Sequence, residues 1–422
     1  MIHSVKGMRD ILPASSGAWN QVESAARRVF HRFNYREIRT PILEETALFA
    51  RGVGEETDIV SKEMYTFEDR DGSSLTLRPE NTASVLRAYI ENRLDQQAPL
   101  NKVYYIGPMF RRERPQKGRF RQFYQIGAEA IGSDSPAIDA EVIELVVAIL
   151  REVGIDGFEL LINSIGSKAT RGRFNDVLRE ALRDVAPRMC EDCRRRAETN
   201  PLRVLDCKVP QDQPIIDQLP SILDYLDEED REHFRRVREF LDDRGIAYQI
   251  RPRLVRGLDY YERTTFEVTH GGLGAQNAIL GGGRYDGLAE SLGSKVAAPG
   301  IGFSIGEDRL VMTVEETHGA EKPALDLYIA PMGDAAARHC FALAAEIREL
   351  DLSVEVGTER KLKRMLEIAN KLGARRALIV GDNEIVSQVY ALKDMETGEQ
   401  QTFTRQELAS HLAAAKNLSL QK

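Results

Sequence analysis

The hydrophobic patterning of this chain predicts an α+β fold: an antiparallel sheet core flanked by helices, a helical insertion, and a separate small α/β domain at the C-terminal end. Three observations lead there. Strand-like segments follow one another across short turns between residues 36 and 131 and again between 247 and 305, which favours antiparallel pairing. Residues 170–245 change to a charged composition with helical periodicity. From residue 325 onward strands alternate with helices, the signature of an α/β unit.

Taken in order, Trp19, Val22, Ala25, Ala26, Val29, Phe30 and Phe33 recur at helical spacing and predict a helix over 16–33. Ile38–Ile42, interrupted by Pro41, reads as a strand that ends there or lies at an edge. Met64–Phe67 and Leu75–Leu77 flank Asp71-Gly72, a hairpin signal. A helix is expected over 80–93, then strands over 102–110 and 120–128 on either side of a basic loop. Within 170–245 the helical period is plainest from Ile222 to Leu241, and strands resume at 247–251, 264–269, 278–280 and 300–305. A polar Gly/Pro-bearing stretch, 318–323, reads as a linker. Beyond it the expected strands are 325–330, 377–380 and 389–392, with helices at 334–350 and 361–372.

A length of 422 residues suggests two or three domains, and 42% hydrophobic with 29% charged residues is the balance of a globular protein. The longest purely apolar run, Leu145–Leu150, is too short to span a bilayer, and residues 1–10 lack the apolar core of a signal peptide. Four cysteines do not make a disulfide framework, so a reduced, cytoplasmic protein with no membrane partner is expected. A net charge of −8 argues against a protein that coats nucleic acid. Positive charge is nevertheless concentrated from Arg111 to Arg121, where Arg111, Arg112, Arg114, Lys117, Arg119 and Arg121 face a single acid, Glu113.

Three segments resist explanation as packing. They are Leu77-Arg78-Pro79-Glu80-Asn81-Thr82, the loop from Phe110 to Phe123, and Leu254-Val255-Arg256-Gly257-Leu258-Asp259-Tyr260-Tyr261 followed by Gly281-Gly282-Gly283-Arg284-Tyr285-Asp286-Gly287. Together they resemble bacterial-type histidyl-tRNA synthetases of class II, and the likeness runs nearly the whole chain. Arg36–Pro41 resembles the class's first motif, Phe110–Phe123 the second with its loop, and Gly302–Arg309 the third. The hexamer Arg256-Gly257-Leu258-Asp259-Tyr260-Tyr261 is similar to the family's own signature.

The resemblance implies a class II synthetase-like catalytic core over 1–169 and 246–318, an inserted helical module over 170–245, a linker over 319–323, and an anticodon-binding domain over 324–422. It further implies a homodimer that uses ATP as substrate, with Mg²⁺, to attach L-histidine to histidine tRNA. Arg256 and Arg111 would be catalytic. Glu80, Asn81, Thr82, Arg111, Gln125, Glu129, Arg256, Tyr260, Tyr261 and Tyr285 would hold histidine, with Glu129 and Tyr261 on its ring. ATP would lie against Arg111, Glu113, Arg119, Phe123 and Arg309, while Arg114 and Gln116 would grip the acceptor end of the tRNA.

The residue chemistry is consistent with this. Attack of a carboxylate on an α-phosphate, with pyrophosphate leaving, needs placed positive charge rather than a protein base. Arginine forks supply that charge, whereas the seven histidines avoid all three segments. Glu129 stands on an apolar strand, Ile126–Ile131, where a carboxylate needs a partner. No metal ligands are assigned: Cys190-x2-Cys193 with Cys207 offers three thiols and no nearby histidine. A phosphate loop of the Gly-x4-Gly-Lys type is absent, and Gly281–Gly283 lacks dinucleotide spacing.

Departures from the family pattern are Asn81 and Asn277 where glycine is usual, Tyr124 where histidine is frequent, and Glu307-Asp308 in place of leucine and glutamate. The rival expectation is a non-catalytic, histidine-sensing regulatory paralogue, a class that typically loses the motif arginines and the C-terminal domain. Here Arg111, Arg256 and Arg309 and residues 324–422 are all present.

Overall fold

Ten residues of near-continuous strand on each side of the basic loop form a long hairpin in the first part of the chain. In the computed structural model, which describes residues 2–55, 57–271, 278–318 and 325–420 without the side chains of 318 and 415–420, these strands are Asn101–Phe110 and Gln122–Ile131. They pair antiparallel from Asn101↔Ile131 to Phe110↔Gln122. The expected linker at 319–323, and Asn277, lie outside the described residues. The chain divides into two units, Met1–Ala320 and Glu321–Lys422.

In the first unit the hairpin sits within an eight-stranded sheet. Its order is Arg36–Glu37, Asn101–Phe110, Gln122–Ile131, Gly300–Gly306, Ala278–Arg284, Glu262–Thr269, Glu159–Ser164 and Gln249–Ile250. Only the two short outermost strands pair in parallel. Period-two alternation separates the faces. Ile126, Ala128, Phe266, Val268, Ile301, Phe303 and Ile305 enter one core with the helices Pro13–Arg32, Pro136–Glu152, Glu228–Asp243 and Glu307–His318. Phe30, Ile149 and Val237 are fully enclosed there; truncating such a Phe to Ala typically costs about 3–5 kcal/mol. The opposite face of the same strands carries Phe123, Gln125, Glu129, Ser304 and Glu267, interspersed with Gly127, Gly281, Gly283, Gly302 and Gly306.

Helix starts follow local chemistry. Ser135 caps Pro136–Glu152 by accepting from Ala137 N with proline in the first turn, and Asp227 caps Glu228–Asp243 by accepting from Asp230 N at 2.9 Å. The Asp71-Gly72 hairpin forms between Tyr65–Glu68 and Ser74–Leu77, with Gly72 at φ 84°, and Leu43–Glu45 adds a third strand. The expected strand at 38–42 does not form. The chain pairs at Arg36–Glu37, makes one more sheet bond from Ile38 N to Tyr104 O, and departs at Pro41, which has no N–H to continue the ladder.

The charged stretch after residue 168 divides between two cores. Lys168–Leu182 and Glu191–Thr199 pack with Val255, Tyr260 and Tyr285 on the polar side of the sheet, whereas Glu228–Asp243 joins the opposite core through Phe234, Val237 and Leu241.

The second unit is a five-stranded sheet in the order Val354–Val356, Leu327–Pro331, Arg376–Val380, Val389–Asp394 and Gln400–Thr404. The first three strands are parallel and the last two antiparallel. Helices Asp334–Arg348, Leu362–Lys371, Asp382–Ser387 and Arg405–Leu420 accompany it. The short Val354–Val356 strand, the Gln400–Thr404 strand and the last two of these helices carry weak periodic signals and were not expected. Among the described residues no helix is long and apolar enough to cross a membrane.

Candidate active site

Glu129 projects from the middle of Gln122–Ile131 onto the polar face and is almost completely enclosed. One carboxylate oxygen accepts from Thr82 Oγ1 at 2.8 Å and the other from Tyr285 OH at 2.6 Å. Burial pushes its pKa up to about 8, assisted by the charge of Glu80, while the hydroxyl donors pull the other way. Glu80, also buried, accepts from Thr82 N at 2.7 Å and Ala83 N at 3.0 Å at the start of the Thr82–Glu91 helix. Burial raises its pKa too, against those two backbone donors. Tyr260 packs tilted against Tyr261 and edge-on against Tyr285 around this pair, with ring centroids 4.6 and 5.9 Å apart. The result is an aromatic cup with acids at its base.

Glycine makes room for the cup. A Cβ on Gly302 would lie 1.7 Å from Glu129 Oε2, and one on Gly283 would lie 2.8 Å from the Tyr261 ring. On Gly281 it would meet the Arg256 guanidinium at 1.9 Å. The glycine run is therefore a backbone surface over which functional side chains lie flat.

Beside the cup lies a cleft of about 280 Å³ lined by Arg111, Glu113, Arg119, Phe123, Arg256 and Arg309, among others. Arg111 donates through Nε to Pro79 O at 2.8 Å, and its guanidinium lies 5.2 Å from the centre of the Phe123 ring. Arg119 pairs with Glu113 at 2.8 Å. Arg309 donates to Ala278 O at 2.6 Å and to Gly118 O at 3.3 Å; burial, then the like charge of Arg119, hold its pKa below the ordinary value. The basic loop closes in a tight turn, with Gly118 at φ 71° and Lys117 bonded to Glu316 at 2.8 Å. Arg114 and Gln116 are exposed on it.

Of the residues expected to hold histidine, the structure gathers Glu80, Thr82, Glu129, Tyr260, Tyr261 and Tyr285, with Arg256 on the adjoining cleft. Gln125 shares their face, and its buried Oε1 has no partner among the described residues. The Asn81 carboxamide oxygen accepts from Thr40 Oγ1 at 2.7 Å and from Arg78 at 3.3 Å, and its buried Nδ2 has no partner among the described residues. Arg284, within a segment that resisted a packing explanation, is structural after all. It points to the opposite face, fully buried against Asp139 at 2.6 Å, and His233 bonds the same carboxylate.

The sequence reading missed Glu267, which pairs with Arg256, and Tyr105, whose hydroxyl meets Ser304 Oγ at 2.9 Å. The signal for Glu267 was available: an acid on a strand, Thr264–Thr269, whose other face is core. Asp308, within the departure at 307–308, accepts from Tyr124 N at 2.8 Å and pairs with Arg9 at 2.7 Å. Glu307 is buried with both oxygens unpartnered among the described residues. Burial and the nearby charges of Glu23 and Asp308 push its pKa up to about 9.

Comparison with known proteins agrees with this geometry. The family model for histidyl-tRNA synthetase matches residues 7–310, and that of an anticodon binding domain matches 326–415. The histidine–tRNA ligase of Solibacter usitatus is 68% identical over 417 residues, covering 99% of this chain and 100% of that protein. The histidine–tRNA ligase of Koribacter versatilis is 55% identical, covering 98% and 96%. The crystal structure of apo histidyl-tRNA synthetase from S. aureus superposes with a TM-score of 0.81 at 37% identity, covering 98% of this chain and all of that one. With matches of this extent, and with the acid-based cup beside the arginine cleft, the chain belongs to the histidyl-tRNA synthetase family.

Proposed function

We propose that this chain charges histidine tRNA with L-histidine through an enzyme-bound histidyl-adenylate, releasing pyrophosphate and then AMP. The observation that carries this reading is the juxtaposition of the Glu129–Thr82–Tyr285 cup with the arginine-lined cleft on one face of the sheet.

The imidazole offers N–H donors, for which Glu129 and Tyr261 are apt acceptors, while Glu80, Thr82 and Gln125 meet the ammonium and carboxylate ends. Adenine would stack on Phe123, with Glu113 and Arg119 placing the nucleotide and Arg111 and Arg309 holding phosphate oxygens in pairs. Arg256, lying over Gly281 between cup and cleft, is positioned to stabilise charge as the histidine carboxylate attacks the α-phosphate. Mg²⁺ suits the cleft, because Glu113 and Glu267 present partly exposed carboxylates there; when bound it supplies further positive charge at the phosphates. In the second step the terminal ribose hydroxyl of the tRNA attacks the acyl carbon, displacing AMP.

Arg114 and Gln116 stand exposed for the acceptor end, and the exposed Arg360, Lys361, Lys363 and Arg364 suit RNA phosphate in the C-terminal unit. The domain roles follow: catalysis in 1–169 and 246–318, an inserted module at 170–245, and anticodon binding in 324–422. A homodimer joined near the exposed edge strand Arg36–Glu37, in a reducing cytoplasm that suits four free cysteines, completes the reading. Arg111, Arg256 and Arg309, all on the cleft, favour the enzyme over a histidine-sensing regulator. Histidine-dependent ATP–pyrophosphate exchange tests the choice: exchange is expected, and histidine binding without exchange would replace the enzyme with the regulator.

A further inference from the structure

The inserted segment holds a group of side chains that the proposed reaction does not use. Cys190, Cys193, Cys207 and Asp212 bring one sulfur or oxygen atom each to within 4.8 Å of one another. Cys190 caps the Glu191–Thr199 helix and Cys193 lies one turn along it, so both thiols face the same side at the positive end of the helix dipole. Cys207 and Asp212 arrive from the far side of the Pro201–Asp206 turn.

Two of the distances within the group are those of a tetrahedral ion. Cys190 Sγ and Cys207 Sγ are 3.9 Å apart, and Cys207 Sγ is 3.3 Å from Asp212 Oδ2. Ordinary zinc–sulfur and zinc–oxygen bonds in a tetrahedron put sulfur about 3.8 Å from sulfur and about 3.5 Å from oxygen. The donors are already oriented by their surroundings. Cys190 N donates to both Asp212 oxygens at 3.1 and 3.2 Å, and Val209 N donates to Cys207 Sγ at 3.4 Å.

Asp212 is completely buried, yet among the described residues no lysine or arginine pairs with it. A carboxylate enclosed in this way, with three thiols in an apolar shell that includes Met189, Leu202, Val204 and Ile216, needs a cation.

We propose that Cys190, Cys193, Cys207 and Asp212 form a structural zinc site. Thiolates select a soft or borderline ion over Mg²⁺ or Ca²⁺, and one atom from each of four residues closes the coordination sphere, as structural rather than catalytic zinc requires. The thiols release their protons to solvent as they ligate. The site fixes the turn that reaches the signature hexamer: Asn200 Nδ2 donates to Asp259 Oδ1 at 3.0 Å, and the Arg203 guanidinium lies over Gly257. Zinc thus braces the inserted segment against the loop that carries Arg256.

The test is metal analysis of the full-length chain, purified under reducing conditions and desalted into metal-free buffer. About one zinc per chain is expected, released by a mercurial thiol reagent. Cys207→Ser should lower it at least tenfold, Cys340→Ser should leave it unchanged, and Asp212→Cys should keep it. Because Cys207→Ser could fail to fold, the apo wild-type chain is also titrated with Co²⁺ alone, and tetrahedral thiolate-to-cobalt bands are expected. Less than a tenth of an equivalent of zinc together with no such bands would overturn the site. So would full zinc content in a folded Cys207→Ser variant.

Discussion

Glu129 is enclosed, holds three hydroxyl donors, from Thr82, Tyr285 and, at 3.5 Å, Tyr105, and faces the space that Gly302 leaves open. With its pKa near 8, it is largely protonated in the free protein at neutral pH, and a ring N–H or a nearby ammonium favours its ionised form. Histidine binding should therefore strengthen as pH rises toward about 8. Glu129→Gln should weaken it by about 1–3 kcal/mol, with less effect on ATP, and flatten its pH dependence relative to wild type. Michaelis constants for both substrates across that range check this, and an unchanged histidine constant would make Glu129 structural. Arg256→Ala should slow adenylate formation on the order of 100-fold while ATP binding changes less; pre-steady-state measurement of adenylate separates the two.

Glu307 gives a stability prediction. Its folded pKa, about 9, lies above the ordinary glutamate value of 4.5, so its contribution is complete below about 4.5 and is lost as pH rises toward about 9. Glu307→Leu removes the titration, and its stability relative to wild type should rise by about 1 kcal/mol per pH unit between about pH 6 and 8. Urea unfolding at several pH values reads this directly, and parallel curves would show that Glu307 is ionised in the folded chain.

Among whole elements, the bond between Arg284 on the Ala278–Arg284 strand and Asp139 on the Pro136–Glu152 helix clamps the helical layer to the sheet. Both groups are fully buried, so Asp139→Ala leaves the guanidinium in the core with only Asp286 and the Ser133 carbonyl as partners and takes the carboxylate from His233. The loss should be about 3–5 kcal/mol, whereas breaking a solvent-screened exposed pair such as Arg235–Glu232 should leave the unfolding midpoint nearly unchanged. The glycine strands act on function instead. Gly281→Ala puts a methyl where the Arg256 guanidinium lies, so pyrophosphate exchange should fall much further than the melting temperature does. A proportional fall in both would mean that Gly281 serves packing alone.

For the molecule as a whole, the division at Ala320–Glu321 leaves each unit with its own core, Phe30 and Ile149 in one and Leu343 and Leu378 in the other. Truncation after His318 should leave a folded catalytic unit that retains histidine-dependent exchange but loses most tRNA charging, because remote RNA contacts help orient the acceptor end. The truncated chain must first be shown folded and dimeric. Full charging by that verified core would remove the C-terminal unit from RNA anchoring.

What the sequence determined by itself was whatever depends on local periodicity and residue chemistry. The two strands beside the basic loop, the helix at 16–33 and the arginine-bearing segments could be read in order, whereas the helix Pro136–Glu152 and the strand Glu159–Ser164 were not expected. Glu129 was conspicuous because a carboxylate does not choose an apolar strand. Boundaries were less legible where one bond decided them, as at Ile38–Ile42, where Pro41 ends the ladder. Only the tertiary structure decided which arginines share a cleft. Arg284 and Arg256 look alike in sequence, but strand pleat sends one into the core with Asp139, while a loop lays the other over Gly281. Likewise Asp212 could not be joined to the three cysteines from spacing alone, since its approach depends on the turn at Pro201–Asp206. Periodicity is a property of neighbours along the chain, whereas a site is made by residues that only sheet register and loop packing bring together.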